Sequence, residues 1–398
     1  MAVDARRDLV ERALSDHDGI LPLEPAWVAR DFLPAGRRLG LPQDAYDLDD
    51  RGELCERWLG STTKADNRVG PPDEGLSYLA LDGGERITLR QAIDADPVSL
   101  MGSDYAATHT GLGRLAKIFD YRGRLPLHLH QRQEHAARVG RHSKDEAYYL
   151  PPGIDLGPHP ETFLGVHPSV AEDGNHDVLL PYLEEWNSDR ILRHCPAYLQ
   201  VPEEGFHVPS GVLHGPGTAL TIELQEDSDV FAMLQALNDG ILISKDLLWK
   251  DVRDEDRERL GERYILELID WRENGDPRFY ENHHLSPQLI AASVQSGGEE
   301  SWIFYNTTKF SGKKLVVHAG SSYISVDSGV HNVFVWSGRG TYGGMPVEGG
   351  KPGNDELFVT HERAVRGVEV HNPGSEDLFV IKFFGPDVHP DAPMIERR

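Results

Sequence analysis

The chain has 398 residues, of which 39% are hydrophobic, 26% charged and 8% aromatic, a composition typical of a folded protein rather than a disordered one. A chain of this length is too long to fold around one small hydrophobic core, so it predicts two domains, or one domain with a large inserted or appended segment. The formal net charge of −25 argues against a nucleic-acid partner, because binding to a phosphate backbone requires clustered lysine and arginine.

The cysteines and the N-terminal segment indicate the cellular compartment in which the protein is expected. Cys55 and Cys195 are far apart and form no CxxC pair, which argues against a disulfide scaffold and against a cysteine zinc site. Residues 1–19 are charged, and no stretch of the chain approaches the roughly 20 apolar residues that cross a bilayer. We therefore expect a cytoplasmic protein that has no membrane partner.

The first predicted element is a helix over residues 6–14, in which Leu9, Val10 and Leu14 recur at helical spacing. Most later elements are predicted as strands, because short runs rich in β-branched and aromatic residues alternate with turns marked by 40 glycines and 26 prolines. These runs are ILRHCPAYLQV, ALTIELQ, SYISV, HNVFVWSG, GVEVHN and DLFVIKFFG. Such units predict a mainly β fold of the sandwich or jelly-roll type.

Residues 254–272 interrupt the β pattern and predict a helix with one apolar stripe beside a charged face. The stripe consists of Leu260, Tyr264, Ile265, Leu268 and Ile269. Periodicity is lost over residues 285–300, where we place a domain junction. The predicted organisation is an N-terminal metal-binding domain with an extension (residues 1–250), a helical connecting segment (251–290) and a second domain (291–398).

Candidate metal ligands appear in the first half of the chain. His128 and His130 are separated by one residue in a predicted strand, so both imidazoles face one side and can bind one metal ion, although two solvated strand histidines would have the same spacing. His214, after a Pro-Ser-Gly turn, brings a third imidazole. The carboxylate ligand is either Glu134, which fits the spacing His-x-His-xxx-Glu, or Glu146, which the strand-like context DEAYYL favours. This set suits Zn, Mn, Fe, Co or Ni.

Three segments resemble, in order and spacing, motifs of the type I mannose-6-phosphate isomerases. They are RLAKIFDYRGRLPLHLH, SKDEAYYL and VPSGVLHGPGTALTIELQEDSD. The resemblance covers roughly residues 100–230, is faint over 50–100, and elsewhere amounts to a second domain of the same kind. It implies two cupin (jelly-roll) domains with an inserted helical segment, a divalent metal with zinc favoured, and aldose–ketose isomerisation of a sugar or sugar phosphate.

The resemblance also implies a role for each candidate ligand. His128 stands where the family has a glutamine ligand, while His130, Glu146 and His214 stand at its other three metal ligands. A histidine at the first position makes the set more like that of an ordinary cupin with three histidines. It therefore widens the range of metals that the site suits.

Two catalytic residues are implied in the same way. Lys144 falls on the family's active-site lysine, and Glu223 falls on a carboxylate implicated in proton transfer through an enediolate. A solvent-facing lysine and a structural glutamate are the competing interpretations of these two residues. Met233 replaces an arginine of the family that would help to hold a phosphate, which favours a non-phosphorylated sugar or another sugar derivative.

The second half of the chain gives a weaker signal. Residues 323–344 and 359–387 look like the two halves of a second cupin, and His331, His361 and His371 are candidates for another site. No His-x-His pair or suitably spaced glutamate accompanies them, so we expect this domain to lack a metal. Two alternatives to the isomerase stay open, namely a non-catalytic sugar-binding cupin and a metal cupin oxygenase or lyase. An exposed sheet edge would be compatible with a homodimer.

Overall fold

The computed structural model of the protein describes residues 3–81 and 84–397, and within them the chain forms two compact units. Unit 1 comprises Met1–Val28, Glu56–Ile118 and Ser286–Met394, and unit 2 comprises Ala29–Cys55, Phe119–Leu285 and Ile395–Arg398, so far as these residues are described. Each unit thus combines separate parts of the chain. The predicted domains are consecutive segments, and their boundaries stay a prediction.

Strands make up most of the regular structure, and the strand pairs whose register is described are antiparallel, for example β7 with β12 and β19 with β26; this confirms the prediction of a mainly β chain. In chain order they are β1 (Ile20–Glu24), β2 (Ala26–Arg30), β3 (Glu53–Leu59), β4 (Tyr78–Leu79), β5 (Leu115–Phe119), β6 (His128–Leu129), β7 (Glu146–Tyr149), β8 (Glu161–Leu164), β9 (Ala197–Leu199), β10 (Gly205–Val208), β11 (His214–Gly215), β12 (Thr221–Gln225), β13 (Ala232–Met233), β14 (Leu237–Asn238), β15 (Ile241–Leu242), β16 (His284–Leu285), β17 (Gln288–Leu289), β18 (Gly298–Phe304), β19 (Ser311–Val317), β20 (Ser321–Ser325), β21 (His331–Ser337), β22 (Arg339–Tyr342), β23 (Met345–Glu348), β24 (Glu356–Val359), β25 (Val368–Asn372) and β26 (Leu378–Phe384).

Apart from the first, the α-helices are short. They are α1 (Val3–Asp16), α2 (Leu89–Ala95), α3 (Pro97–Met101), α4 (Ser103–Thr108), α5 (Gln133–Ala136), α6 (Pro168–Ala171), α7 (Leu180–Glu185), α8 (Asp246–Trp249), α9 (Asp254–Leu260), α10 (Arg263–Leu268), α11 (Trp271–Asn274), α12 (Phe279–His283) and α13 (His361–Arg366). The helix predicted over residues 6–14 is confirmed, since it lies within α1.

Unit 1 has two antiparallel sheets, ordered β17-β18-β19-β26-β21-β24-β1-β4 and β20-β25-β22-β23. Both sheets contribute side chains to one apolar cluster. Leu315, Val333 and Val380 come from the larger sheet, and Tyr323 and Val370 from the smaller one. Because side chains alternate between the faces of a strand, each of these strands presents its apolar face to a core between the two sheets.

Unit 2 also has two sets of antiparallel strands, ordered β13-β6-β11-β8-β9 and β16-β10-β7-β12. Helices α7 to α10 cover the first set, where Leu127 and Leu129 belong to the same apolar cluster as Leu183 and Ile265. Alternation along the strand therefore directs His128, between these two leucines, away from the helices. The burial of the two leucines against the helices therefore fixes the face of β6 from which His128 projects.

The single helix predicted over residues 254–272 is wrong in its continuity, because the segment forms α9, α10 and α11. Gly261 ends α9 with a φ of +55°, a left-handed conformation that glycine adopts without steric cost. Asp270 then caps α11, its Oδ1 accepting a hydrogen bond from the Glu273 amide at 3.1 Å. Tyr264, Ile265 and Leu268 of the predicted stripe are buried.

Two expectations from composition concern the membrane and the thiols. Within residues 3–81 and 84–397, no helix has the length and apolar character needed to span a membrane. Cys55 and Cys195 are both buried, and neither forms a disulfide.

Candidate metal centre

His128, His130 and His214 form a compact buried group. Their ligand nitrogens lie within 4.8 Å of one another, and in the described part of the chain this is the one group of three or more histidine, cysteine or carboxylate side chains that could hold a metal ion. The ring centroids of His128 and His214 are 4.0 Å apart. Strand pairing produces this proximity, because His214 of β11 lies directly opposite His128 of β6.

Backbone carbonyl groups determine which nitrogen each imidazole presents to the others. The Nδ1–O distances are 2.7 Å for His128 to Pro126, 2.7 Å for His130 to Val230 and 2.8 Å for His214 to Val212. A carbonyl oxygen only accepts hydrogen bonds, so each Nδ1 carries a proton, and in the neutral imidazole the lone pair is then on Nε2. Metal-binding imidazoles are held in this way, with one nitrogen hydrogen-bonded and the other directed to the ion.

Glu146 of β7 closes the group from the second set of strands. Its Oε2 lies 2.9 Å from His130 Nε2, and its Oε1 lies 3.1 Å from His214 Nε2. The Nε2 lone pair and the carboxylate oxygen are both acceptors, and His214 Nε2 has no hydrogen-bond partner among the described residues. Two buried acceptors at this distance repel unless a cation lies between them. The residues present therefore fit a divalent metal, for which imidazole and carboxylate are suitable ligands.

Glu134, the other candidate carboxylate, lies on α5 rather than beside the histidines. Its side chain is 59% exposed and pairs with Arg132 at 3.3 Å, whereas the side chain of Glu146 is 1% exposed. The carboxylate that contacts the imidazoles is therefore Glu146.

The Pro-Ser-Gly turn that precedes His214 is tied directly to His130. The Gly211 amide donates a hydrogen bond to the carbonyl oxygen of His130 at 2.7 Å, and the Val212 amide donates to Pro209 at 3.1 Å. Gly211 has a φ of +85°, and a Cβ there would approach the Arg132 side chain to 2.9 Å. Glycine meets both requirements, so the turn can close against β6 and place His214.

Lys144, Glu146 and Tyr148 lie at alternate positions along one chain segment, so their side chains share a face. Glu223 of β12 lies opposite Tyr148 and joins them. Lys144 Nζ is 3.1 Å from Glu146 Oε2, 3.1 Å from His130 Nε2 and 3.5 Å from Glu223 Oε1. All these side chains are buried, so the predicted catalytic pair, Lys144 and Glu223, adjoins the predicted ligands.

The charges in the group favour the protonation states that bind a metal. Burial opposes ionisation of Glu146, but Lys144, His130 and His214 together hold the pKa of that carboxyl well below its usual range. Burial, together with His214 and His130, holds the pKa of His128 well below its usual value. Burial and Lys144 lower the pKa of His130 to about 3. At neutral pH Glu146 is therefore a carboxylate, and His128 and His130 are neutral imidazoles, the forms that act as ligands.

Tyr148 is the site residue that the sequence analysis missed. Its hydroxyl donates a hydrogen bond to Oε1 of Glu146. Burial and the neighbouring Glu146 and Glu223 carboxylates raise the pKa of Tyr148 well above its usual value, so the phenol keeps its proton at neutral pH. The signal that could have found it is the alternation Lys144, Glu146, Tyr148 in a predicted strand.

Met233 borders the histidine group. It lies on β13 directly opposite His128 and is buried. Directly opposite residues of an antiparallel pair project to the same face of the sheet. The thioether side chain therefore places apolar surface beside His128, at the position where the resemblance predicts an arginine.

The histidines suggested for a second site do not form a comparable group within the described residues. His331 is buried on β21, whereas His371 is exposed on β25, where Nδ1 lies 3.0 Å from the hydroxyl of Ser322. His361 begins α13.

Comparisons with known proteins give a likeness in structure but not in sequence. No family model matches the chain, and no curated protein matches it. The mannose 6-phosphate isomerase from Bacillus subtilis superposes with a TM-score of 0.62 at 14% identity, covering 92% of this chain and 99% of that one. A putative mannosephosphate isomerase from Archaeoglobus fulgidus gives 0.61 at 11% identity, covering 92% and 97%. This chain shares their fold.

A further neighbour bears on the metal. It is a mannose 6-phosphate isomerase described as zinc-bound, with a TM-score of 0.59, 11% identity and coverage of 92% of this chain and 100% of that one. At these identities the likeness shows the fold alone. The case for a metal in this chain comes from its own buried histidines, and the neighbour adds a zinc-binding protein of the same fold.

Proposed function

We propose that the protein is a metal-dependent aldose–ketose isomerase of two cupin domains that acts on a sugar or sugar phosphate. The observation that carries the proposal is the buried juxtaposition of three imidazole Nε2 atoms with Glu146, next to Lys144 and Glu223. His128, His130, His214 and Glu146 would hold the ion, and zinc is favoured because a neighbour of the same fold binds it. Mn, Fe, Co and Ni suit the same donors.

The chemistry requires one proton to move between C2 and C1 of an open-chain sugar and a second proton to move between the oxygens O2 and O1. A divalent metal, when bound, supplies polarisation of the carbonyl and hydroxyl oxygens and so lowers the cost of the enediolate. Glu223 removes the proton from one carbon and returns it to the other. Lys144, whose Nζ is 3.5 Å from Glu223 Oε1, stabilises the negative charge that develops on the sugar oxygens. The burial of both side chains strengthens these interactions, because little water screens them.

The surroundings of His128 bear on the substrate. A buried phosphate needs cationic donors, which the thioether of Met233 does not provide. We therefore favour a non-phosphorylated sugar, or a sugar derivative without a phosphate near His128.

The test combines metal analysis with an activity screen. Zinc is measured in the purified protein, in His130→Ala and in the control His135→Ala, which removes a buried histidine outside the group. We expect one zinc ion per chain in the wild type and the control, loss of zinc in His130→Ala, and metal-dependent conversion of an aldose to a ketose.

Each other outcome has a distinct meaning. A protein that never holds a metal contradicts the proposal. A zinc protein that binds sugars without turnover is a sugar-binding cupin, and turnover that consumes oxygen identifies an oxygenase.

A further inference from the structure

The hydrogen bond that orients His130 comes from a backbone peptide group just ahead of β13. His130 Nδ1 is 2.7 Å from the carbonyl oxygen of Val230. The pairing of β13 with β6 begins at Ala232, which lies opposite Leu129. The peptide group between Val230 and Phe231 therefore precedes this ladder, and both of its polar groups bind side chains instead. Such groups need partners here because Val230 is fully buried.

Asp251 binds the other end of the same peptide group. Its Oδ2 accepts a hydrogen bond from the Phe231 amide at 3.0 Å, and the residue is buried. The N–H and the carbonyl of a trans peptide group lie in one plane and point in opposite directions. The carboxylate that fixes the N–H of Phe231 therefore also fixes the direction of the Val230 carbonyl. The result is a series of hydrogen bonds that runs from Asp251 through one peptide group to His130.

Asp251 is tied to both segments that this series connects. Its backbone carbonyl accepts a hydrogen bond at 3.4 Å from Nε2 of Gln131, the residue that follows His130. The adjacent Lys250 donates from Nζ to the carbonyl oxygen of Asp229 at 3.1 Å and lies 3.8 Å from Asp251 Oδ2. Asp251 is therefore held beside the end of β6 and beside the segment that enters β13.

We infer that Asp251 is a positioning residue for His130, acting through the peptide group between Val230 and Phe231. The inference rests on the proposed function, because His130 is one of the proposed metal ligands. Partners of this kind fix the ring orientation and the tautomer of a metal-binding histidine. Here the partner is a backbone carbonyl, and the carboxylate behind it keeps that carbonyl directed at the ring.

The tautomer of His130 needs such support because its neighbours favour different positions of the proton. Glu146 Oε2 lies 2.9 Å from His130 Nε2 and favours the form in which Nε2 carries the proton and cannot bind a metal. Lys144 Nζ, 3.1 Å from the same Nε2, and the Val230 carbonyl at Nδ1 favour the metal-binding form. A carboxylate that accepts from a peptide N–H polarises the peptide group, so Asp251 makes that carbonyl a stronger acceptor.

The test is Asp251→Leu, which removes the acceptor but keeps a side chain of similar shape. Nitrogen NMR of the metal-free protein, labelled with ¹⁵N in histidine, reports at pH 7 which nitrogen of His130 carries the proton. We expect a larger fraction with the proton on Nε2 than in the wild type, and a zinc affinity lower by about 10- to 100-fold in competition with a chelator. Asp251→Asn keeps an oxygen that can accept from Phe231. It should therefore restore the wild-type tautomer and bind zinc more tightly than Asp251→Leu.

Asp256→Leu is the matched control, because it removes a buried carboxylate of the same unit that pairs with Arg253 at 2.8 Å. It should leave the tautomer of His130 and the zinc affinity unchanged. A wild-type tautomer or a wild-type zinc affinity in Asp251→Leu overturns the inference, and so does an equal effect in Asp256→Leu.

A second measurement uses the wild-type protein and does not require Asp251→Leu to fold. A scalar coupling across the hydrogen bond should join Nδ1 of His130 to the carbonyl carbon of Val230, and its absence overturns the inference. The tautomer and the coupling are both recorded without metal. They therefore decide on the role of Asp251 even if the wild type binds no zinc, a result that would contradict the proposed function.

Discussion

Tyr148→Phe tests whether the candidate metal centre depends on the residue that sequence reasoning missed. The change removes one hydroxyl, which donates a hydrogen bond to Glu146 Oε1, and leaves the ring that packs in the same space. Without this donor, Oε1 of Glu146 loses a hydrogen bond while Oε2 keeps its contact with Lys144, so the orientation of the carboxylate toward His130 and His214 is less well fixed. We therefore expect the metal affinity to fall although every ligand is still present.

The size of the effect follows from how such partners act elsewhere. Loss of a group that orients a metal ligand typically lowers metal affinity by about 10- to 100-fold, which corresponds to about 1.4 to 2.7 kcal/mol. The affinity for zinc is measured by competition with a chromophoric chelator at pH 7. The same change removes a hydrogen bond to a charged group, so the metal-free protein should lose about 1.5–3 kcal/mol of its free energy of unfolding.

Tyr149→Phe is the control, because Tyr149 is the next residue of β7 and projects from the opposite face. It should leave the zinc affinity unchanged. Wild-type zinc affinity in Tyr148→Phe would refute the reasoning, since it would mean that the hydroxyl does not orient Glu146. An equal loss in both variants would point instead to a general disturbance of β7.

Three further expectations concern single side chains. Glu146→Gln removes a proposed ligand and should weaken zinc binding by more than about 100-fold, which is the largest effect typical of losing a residue that only orients a ligand. Glu134→Gln should bind zinc like the wild type in the same chelator assay. Lys144→Met should retain its zinc in elemental analysis. Its kcat/KM on a sugar that the wild type converts should fall by about 100-fold, as happens when other groups that stabilise developing charge are removed. Wild-type turnover in this variant would exclude Lys144 from the chemistry. Burial raises the pKa of Glu356 from 4.5 to about 7, and the neighbouring carboxylate of Asp355 adds to this, while the guanidinium of Arg57 opposes it. The folded state then holds the proton more tightly than the unfolded state, so Glu356 lowers stability as pH rises from about 4.5 to about 7. Glu356→Gln should flatten that part of the stability profile in denaturant titrations, and an unaltered profile would contradict the shift.

The grouping of the three histidines was predictable from local rules. Strand alternation places His128 and His130 on one face, and this required only the period of two that β-structure imposes. His214 was identified through its turn, in which Pro209 and Gly211 mark a change of direction before a strand. Both inferences use short-range geometry, which the sequence encodes directly.

Other features depend on contacts between distant parts of the chain, which local patterns do not contain. Glu134 fits a familiar ligand spacing, yet it lies exposed on a helical turn, and only the pairing of β7 with its neighbours brings Glu146 to the imidazoles. Tyr148 lies only two residues from Glu146, but strand alternation alone does not show that its hydroxyl contacts that carboxylate in the folded site. The predicted helix over residues 254–272 was too long because Gly261 can either continue a helix or end it, and the packing around it decides which.

Charge pairing separates the candidate metal centre from a second buried group, which lies in unit 1. In the candidate metal centre, Glu146 has the single ammonium of Lys144 beside it, and the Nε2 atoms of His130 and His214 lie 2.9 and 3.1 Å from its two oxygens. In unit 1, the buried carboxylates of Glu300 and Asp327 contact the ammonium groups of both Lys313 and Lys382, so these four side chains carry no net charge. Buried acceptors that face one another are stabilised by a cation, whereas carboxylates that are already paired gain nothing from one, so an added cation favours the first group and not the second. The same donor types can therefore favour a metal in one unit and exclude it from the other, and the number of lysines decides between the two.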